Sequence, residues 1–189
     1  MLHTRVPMTT PGSPSVALVP WSSLTVDAIL DLLRRTREHL APWEPIREAD
    51  HLTEEMQRRL LAEADQAERT GREAGFGVAE VSSGALVGRV RISGIQRGAF
   101  QNAHLGYFID RDRCGRGYAT EAVGAVTRWA FTTAGLHRLQ ASVMPHNVAS
   151  IRVLEKAGYR REGLSLRYLK IAGGWRDHLL YARTVEDGL

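Results

Sequence analysis

Residues 105–121, LGYFIDRDRCGRGYATE, carry the clearest chemistry in the chain. Gly115 and Gly117 flank Arg116, Arg111 and Arg113 stand just before them, and a helix-spaced apolar pattern follows. Glycines let a backbone take positive φ and approach a ligand closely. The first turn of a helix has N–H groups without intrahelical partners and carries the positive end of the helix dipole. With three arginines beside it, such a turn has phosphate or pyrophosphate as its natural guest. The plainer reading is a tight turn with solvated arginines, because Gly-x-Gly before a helix is a weak pattern by itself. No Gly-Lys-Ser/Thr follows to complete a Walker loop. A third glycine and a strand-ending acid about 20 residues on, which would complete a dinucleotide fingerprint, are also missing. The seven histidines show neither HxH nor HExxH spacing, so no metal site is expected.

Positioning that turn requires a strand before it and a helix after it. Leu105, Tyr107 and Ile109 alternate as strand residues do, and four charges at 110–113 break the run. Ala119, Ala122, Val123, Val126 and Ala130 then fall at helical spacing. Upstream, 15–19 predicts a strand ended by Pro20. Ser22 or Ser23 can cap a helix with the stripe Val26, Ile29, Leu30, Leu33 and Leu40, which Pro42 stops. A loop over 41–50 bears Trp43 and Glu44, and Thr53 starts a second helix that buries Met56, Leu60, Leu61 and Ala64. Residues 76–81 and 85–95 read as a hairpin over Ser82-Ser83-Gly84. Beyond the central helix, 136–143 predicts a strand. Asn147 or the residue before it then opens a helix with Ile151, Leu154 and Ala157 apolar and Gly158 as its stop. Residues 158–171 and 175–184 pair over Ala172-Gly173-Gly174. Strands and helices mixed in this way predict an α/β or α+β sheet with helices on both faces.

A chain of 189 residues accommodates one domain with a substantial core. It is expected over 15–189, after a flexible Pro/Ser/Thr-rich leader at 1–14. Hydrophobic residues at 43% and charged ones at 24% are ordinary for a globular protein, and no apolar run approaches the ~20 residues of a membrane span. The start has no apolar core of a secretory signal, and the single cysteine excludes an internal disulfide, so the expected compartment is the cytoplasm. A net charge of +4 permits binding to polyanions of several kinds and does not single out nucleic acid.

Ile109-Asp110-x-x-x-Cys114-x-x-Gly117-x-Ala119 resembles motif A of the GNAT N-acetyltransferases, which holds the pyrophosphate of acetyl-CoA, with Cys114 where Gln or Arg is usual. The stretches 39–48 (HLAPWEPIRE), 144–150 (MPHNVAS), 155–163 (EKAGYRREG) and 168–182 (YLKIAGGWRDHLLYA) look like the RimJ-type ribosomal-protein alanine N-acetyltransferases. The resemblance implies a GNAT fold, with a mixed, mostly antiparallel sheet whose fourth and fifth strands splay to admit the pantetheine arm. It implies acetyl-CoA as cosubstrate, with no metal. The backbone of Tyr107, Phe108 and Ile109 would pair with pantetheine, and one N–H freed by a strand irregularity would polarise the thioester oxygen. The turn residues Cys114, Gly115, Arg116, Gly117, Tyr118 and Ala119 would hold the pyrophosphate, mainly through backbone amides.

Many members of the family place an acidic tyrosine just before the Glu-Lys of the fourth helix, where this chain has Leu154. The match to Asn-x-x-Ser instead offers Asn147 to anchor the cofactor and Ser150 to hydrogen-bond the departing thiolate. Ordinary N-capping by Asn147, with Ser150 a surface residue, is the plain alternative. No base is evident; Glu44 is the candidate, and a solvent-exposed loop acid is its ordinary role. Trp43, Tyr168 and Trp175 are candidates to wall the acceptor groove, and His178 reads as structural. Cys114 stands where a helix start and arginines lower a thiol pKa, but no partner histidine is placed beside it, and the family transfers acetyl directly. The expected reaction is acetylation of a protein N-terminal amine, with a small-subunit ribosomal protein beginning in alanine as the target. The reading requires neither membrane nor nucleic-acid binding, and it is compatible with a homodimer. The alternatives are a small amine or antibiotic as acceptor, a non-catalytic acyl-CoA sensor, and a basic ribosome- or RNA-binding module.

Overall fold

In the computed structural model, which describes residues 15–188, the strand ahead of the glycine turn is β4 (Asn102–Ile109) and the helix after it is α3 (Tyr118–Thr132). The expected leader at 1–14 lies outside the described residues. Before β4 come β1 (Val16–Pro20), α1 (Val26–Leu40), α2 (Glu54–Arg69), β2 (Ala74–Glu80) and β3 (Leu86–Gln96). After α3 come β5 (Arg138–Val143), α4 (Val148–Lys156), β6 (Arg160–Ile171) and β7 (Gly174–Thr184). One sheet runs in the order β1-β2-β3-β4-β5-β7-β6, and every neighbouring pair is antiparallel except β4 with β5.

Alternation along β3 divides the sheet into two faces. Val90 and Ile92 point into the main core, where Ala122, Val123, Val126 and Ala130 of α3 and Leu154 of α4 meet the strands. Arg89 and Arg91 point the other way, toward α1 and α2, where Ile29, Leu30, Leu32 and Leu40 are buried. Helices on both faces match the architecture expected from the sequence.

Three details of the first helices differ from expectation. The cap of α1 is Thr25, whose Oγ1 accepts the Ala28 N–H at 3.3 Å, while Ser22 and Ser23 belong to a separate 3-10 turn (Trp21–Ser23). Trp21 must be buried against β2, where a Cβ on Gly75 would lie 3.3 Å from its own Cβ, so the chain completes that turn before α1 can start. In α1 Leu32 is buried in place of the expected Leu33, which is half-buried; Thr36 completes the stripe by donating to the Leu32 carbonyl at 2.8 Å. Thr53 caps α2 as expected, but α2 is an outer helix: Met56 and Gln57 are buried while Leu60, Leu61 and Ala64 are half-buried.

The parallel pairing of β4 with β5 covers Asn102, Ala103 and His104 against Arg138, Leu139 and Gln140, and then stops. Beyond it β4 continues to Ile109 bonded only to β3, and β5 continues to Val143 bonded only to β7. The sheet is therefore split between its two central strands, and the glycine turn closes one side of the split.

Candidate active site

At the turn, Gly117 is the N-cap of α3 with φ +83°, and Gly115 has φ +78°. Only glycine takes such angles without strain. Gly117 has no side chain to cap the helix, so the first N–H groups of α3 stay open, and no protein atom lies within 4 Å of a Cβ built at either glycine. This bare backbone cradle fits a pyrophosphate. The turn is held from below by Asp110, which is buried, accepts the Asp112 N–H at 3.2 Å and is paired with Arg35 of α1. Arg35 also donates to the Leu86 carbonyl at 3.1 Å.

Not all the expected positive charge is free for an anion. Arg113 and Arg116 lie 3.8 and 3.7 Å from the Glu80 carboxylate, which they share with the hydroxyls of Ser83 and Tyr118, each at 2.6 Å. Those two hydroxyls, more than the arginines, hold the Glu80 carboxyl below the usual carboxylate range. The Tyr118 side chain is thus committed to Glu80, and what this residue offers a ligand is backbone. The environment of Cys114 also corrects expectation. Its sulfur lies 3.5 Å from the Asp110 carbonyl, and burial pushes the thiol up, so the turn does not activate it.

In the split, the Asp110 N–H donates to the Val87 carbonyl at 2.8 Å, which sets the phase of the β3–β4 ladder. In an antiparallel ladder, alternate residues direct both backbone groups to the same neighbour. Phe108 and Gly106 therefore spend theirs on β3, and Leu105, Tyr107 and Ile109 direct theirs into the gap. The expected irregularity is not at 107–109, where pairing runs unbroken from Gly88↔Ile109 to Ser93↔His104; the register shift falls later, between Ser93 and Gln96. Free donors arise because β5 diverges. Phe108 contributes its ring rather than its amide.

On the α4 side of the gap, the Ser150 N–H donates to Asn147 Oδ1 at 3.1 Å, so Asn147 caps α4 and has only its amide N–H groups left for a ligand. Tyr107 Oη lies 2.8 Å from Ser150 Oγ, where either hydroxyl can donate, and 3.1 Å from the Ser150 carbonyl, the other acceptor within reach of its single proton. Burial pushes the Tyr107 phenol up to about 12, so at neutral pH it is protonated and remains a donor. The sequence reading assigned Tyr107 a backbone role and missed this hydroxyl. Leu154 is buried and lines the same cleft.

Tyr107, Phe108, Asn147 and Ser150 share one cleft of about 290 Å³ with Trp43 and Glu44 from the loop after α1. Glu44 pairs with Arg47 at 3.4 Å, and its carbonyl accepts the Ala172 N–H at 3.0 Å, tying the loop to the β6–β7 turn. The Trp43 ring lies 5.3 Å from that of His146. His178, expected to be structural, lines the cleft. Its Nδ1–H donates to the Arg176 carbonyl at 3.0 Å. Tyr168 packs on His178 with ring centroids 5.7 Å apart and is not itself among the residues that line the cleft. Trp175 is not brought to the cleft: it stands near the end of the β6–β7 hairpin, 63% exposed. Arg47, Arg89 and Arg91 also line the cleft and were not anticipated. The signal for two of them was present, since Gly-Arg-Val-Arg-Ile puts both arginines on one face of an otherwise apolar strand. Among the described residues, no group of three or more His, Cys, Asp or Glu is placed to hold a metal.

A sheet split between its central strands, with a bare-backbone helix start at one end of the split and hydroxyls along it, defines an acyltransferase of the GNAT type. The chain belongs to that family: the acetyltransferase (GNAT) domain model matches residues 16–160. It is 40% identical to the probable N-acetyltransferase YjcK of Bacillus subtilis over 81% of this chain and 84% of the relative. It is 33% identical to the [ribosomal protein uS5]-alanine N-acetyltransferase of Escherichia coli, over 84% of this chain and 82% of that enzyme. Among solved structures, Mycobacterium smegmatis RimJ in complex with CoA-disulfide superposes with a TM-score of 0.84 at 34% identity, covering 97% of this chain and 86% of that one.

Proposed function

We propose that this acetyltransferase takes acetyl from acetyl-CoA and transfers it to the α-amine of a protein N-terminus, with a small-subunit ribosomal protein beginning in alanine as the target. The observation that carries the reading is the split itself, which has a bare-backbone anion cradle at one end and an open cleft on the α1 face. A second cavity of about 320 Å³ adjoins that cleft and shares Leu40, Glu44 and Arg47 with it, giving room for the residues that follow an N-terminal amine. The relative that acts on alanine of uS5 and the RimJ structure with CoA support the same choice.

Acetyl-CoA supplies an activated acyl thioester. The chain supplies position, which in favourable intramolecular models is worth up to ~7 to 11 kcal/mol. The N–H groups of Tyr107 and Ile109 in the gap polarise the thioester oxygen, and Ser150 donates to the departing sulfur while Tyr107 donates to Ser150. Glu44 is the carboxylate nearest to hand for proton removal, acting through water because Arg47 already engages it. An α-amine with a pKa near 7.7 to 8.0 is about 10 to 20% neutral at pH 7, whereas a lysine near 10.4 is neutral well below 1%, so weak base catalysis favours the α-amine.

A screen of thiol release from acetyl-CoA with peptides, polyamines and aminoglycosides tests the assignment. Release is expected with a peptide bearing a free N-terminal alanine and not with its N-blocked form. Release with aminoglycosides or polyamines alone would replace the protein acceptor by a small amine. A salt-sensitive complex with RNA and no thiol release from any acceptor would point to a binding module.

A further inference from the structure

The α1 side of the cleft has an unbalanced charge. Arg47 pairs with Glu44 at 3.4 Å, and Arg91 is paired with Glu73. Arg89, between them on β3, has no ion pair or hydrogen bond among the described residues. Its Nε is buried without a partner, and its guanidinium carbon lies 4.2 Å from the centroid of the Trp21 ring. Burial and the neighbouring Arg91 push the guanidinium down to about 10, which still leaves it charged at neutral pH. A cation withdrawn from water without a counter-charge is costly, and the rigid fork of a guanidinium suits a carboxylate.

Arg89 stands opposite Phe108 in the ladder, so the two side chains share the face that opens to the cleft. Its backbone is one strand from β4, but its guanidinium lies over Trp21 with an Nη 4.0 Å from a Cβ built on Gly75 of β2, so the charge sits about two strands, roughly 10 Å, from the edge that presents the thioester. A peptide residue spans about 3.5 Å and an acidic side chain reaches a few Å further, which puts Arg89 within range of the second or third residue of an acceptor. We propose that Arg89 binds a carboxylate of the acceptor, so that the preferred N-termini carry Asp or Glu at the second or third position. This rests on reading the acceptor as an N-terminal amine.

The test compares Ala-Asp, Ala-Asn and Ala-Lys peptides, and the same changes at the third position, as acceptors for the wild-type protein. One acidic position is expected to show kcat/KM about 10- to 100-fold above its amide counterpart. Arg89→Gln should erase that preference and leave the KM for acetyl-CoA unchanged. Equal rates with the acidic and amide peptides at both positions would overturn the proposal and leave the N-terminal assignment standing. An Arg89→Gln protein that keeps the preference but raises the KM for acetyl-CoA would also overturn it. If no peptide is acetylated while small amines bearing a carboxylate are, and Arg89→Gln abolishes this, the carboxylate site stands and the N-terminal assignment falls. If the variant does not fold, the wild-type peptide comparison decides.

Discussion

Ser150 and Tyr107 share a hydrogen bond of 2.8 Å, so their contributions to catalysis are not independent. The charge on sulfur grows only as the thioester breaks, so losing the Ser150 hydroxyl should lower kcat more than it weakens acetyl-CoA binding. A charge-assisted bond of ~1.5 to 3 kcal/mol implies a loss of about 10- to 150-fold for Ser150→Ala. Tyr107→Phe should cost less, and the double variant should resemble Ser150→Ala, because Tyr107 acts through Ser150. Steady-state kinetics with the chemical step shown to be rate-limiting would check both; an unchanged kcat in Ser150→Ala would remove the hydroxyl from the sulfur. Cys114→Ala should keep most activity with sequential kinetics, since burial pushes the thiol up and its sulfur faces a carbonyl. Ping-pong patterns would contradict this. The Asn147 cap was legible from its place after Pro145, because a helix start is local, whereas the role expected of Ser150 came from the family resemblance. The Tyr107 hydroxyl was not legible, because its partner is 43 residues away and depends on how α4 crosses β4.

At the scale of elements, the glycine turn was legible because it is a local strand–turn–helix problem, and α3 begins where the pattern placed it. Gly117→Ala should destabilise the fold by about 1 to 2 kcal/mol, the cost of a Cβ at left-handed φ. It should also raise the Kd for CoA, since that Cβ would project into the cradle. Denaturant unfolding and calorimetry separate the two effects, and unchanged CoA affinity in the folded variant would remove this turn from the cofactor site. The start of α1 was misread because serines at 22 and 23 satisfy a capping pattern, while the burial of Trp21 that delays the helix is tertiary. Thr25→Ala should therefore cost about 1 kcal/mol of stability by thermal or denaturant unfolding, and Ser22→Ala clearly less. The reverse order would restore the original cap. The arginines of β3 were visible as an alternation, but only packing shows that two of the three in the cleft are neutralised and one is not.

For the whole molecule, function depends on one topological feature, the divergence of β4 from β5 after three paired residues. Hydrophobic alternation identifies both strands, but where a sheet stops pairing is a tertiary property, and the splay came from family resemblance rather than from the residues. The gap leaves the N–H groups of Tyr107 and Ile109 without a strand partner and opens into the cleft that Ser150 also lines. The central claim is that this arrangement acetylates an α-amine without a strong base. The most direct measurement is tandem mass spectrometry of a peptide with a free N-terminal alanine and an internal lysine, after incubation with the protein and acetyl-CoA at neutral pH. The account predicts a single acetyl group on the alanine nitrogen, formed together with free CoA and absent when the N-terminus is blocked. Acetyl on the lysine instead, or at equal rate in the blocked peptide, would contradict it.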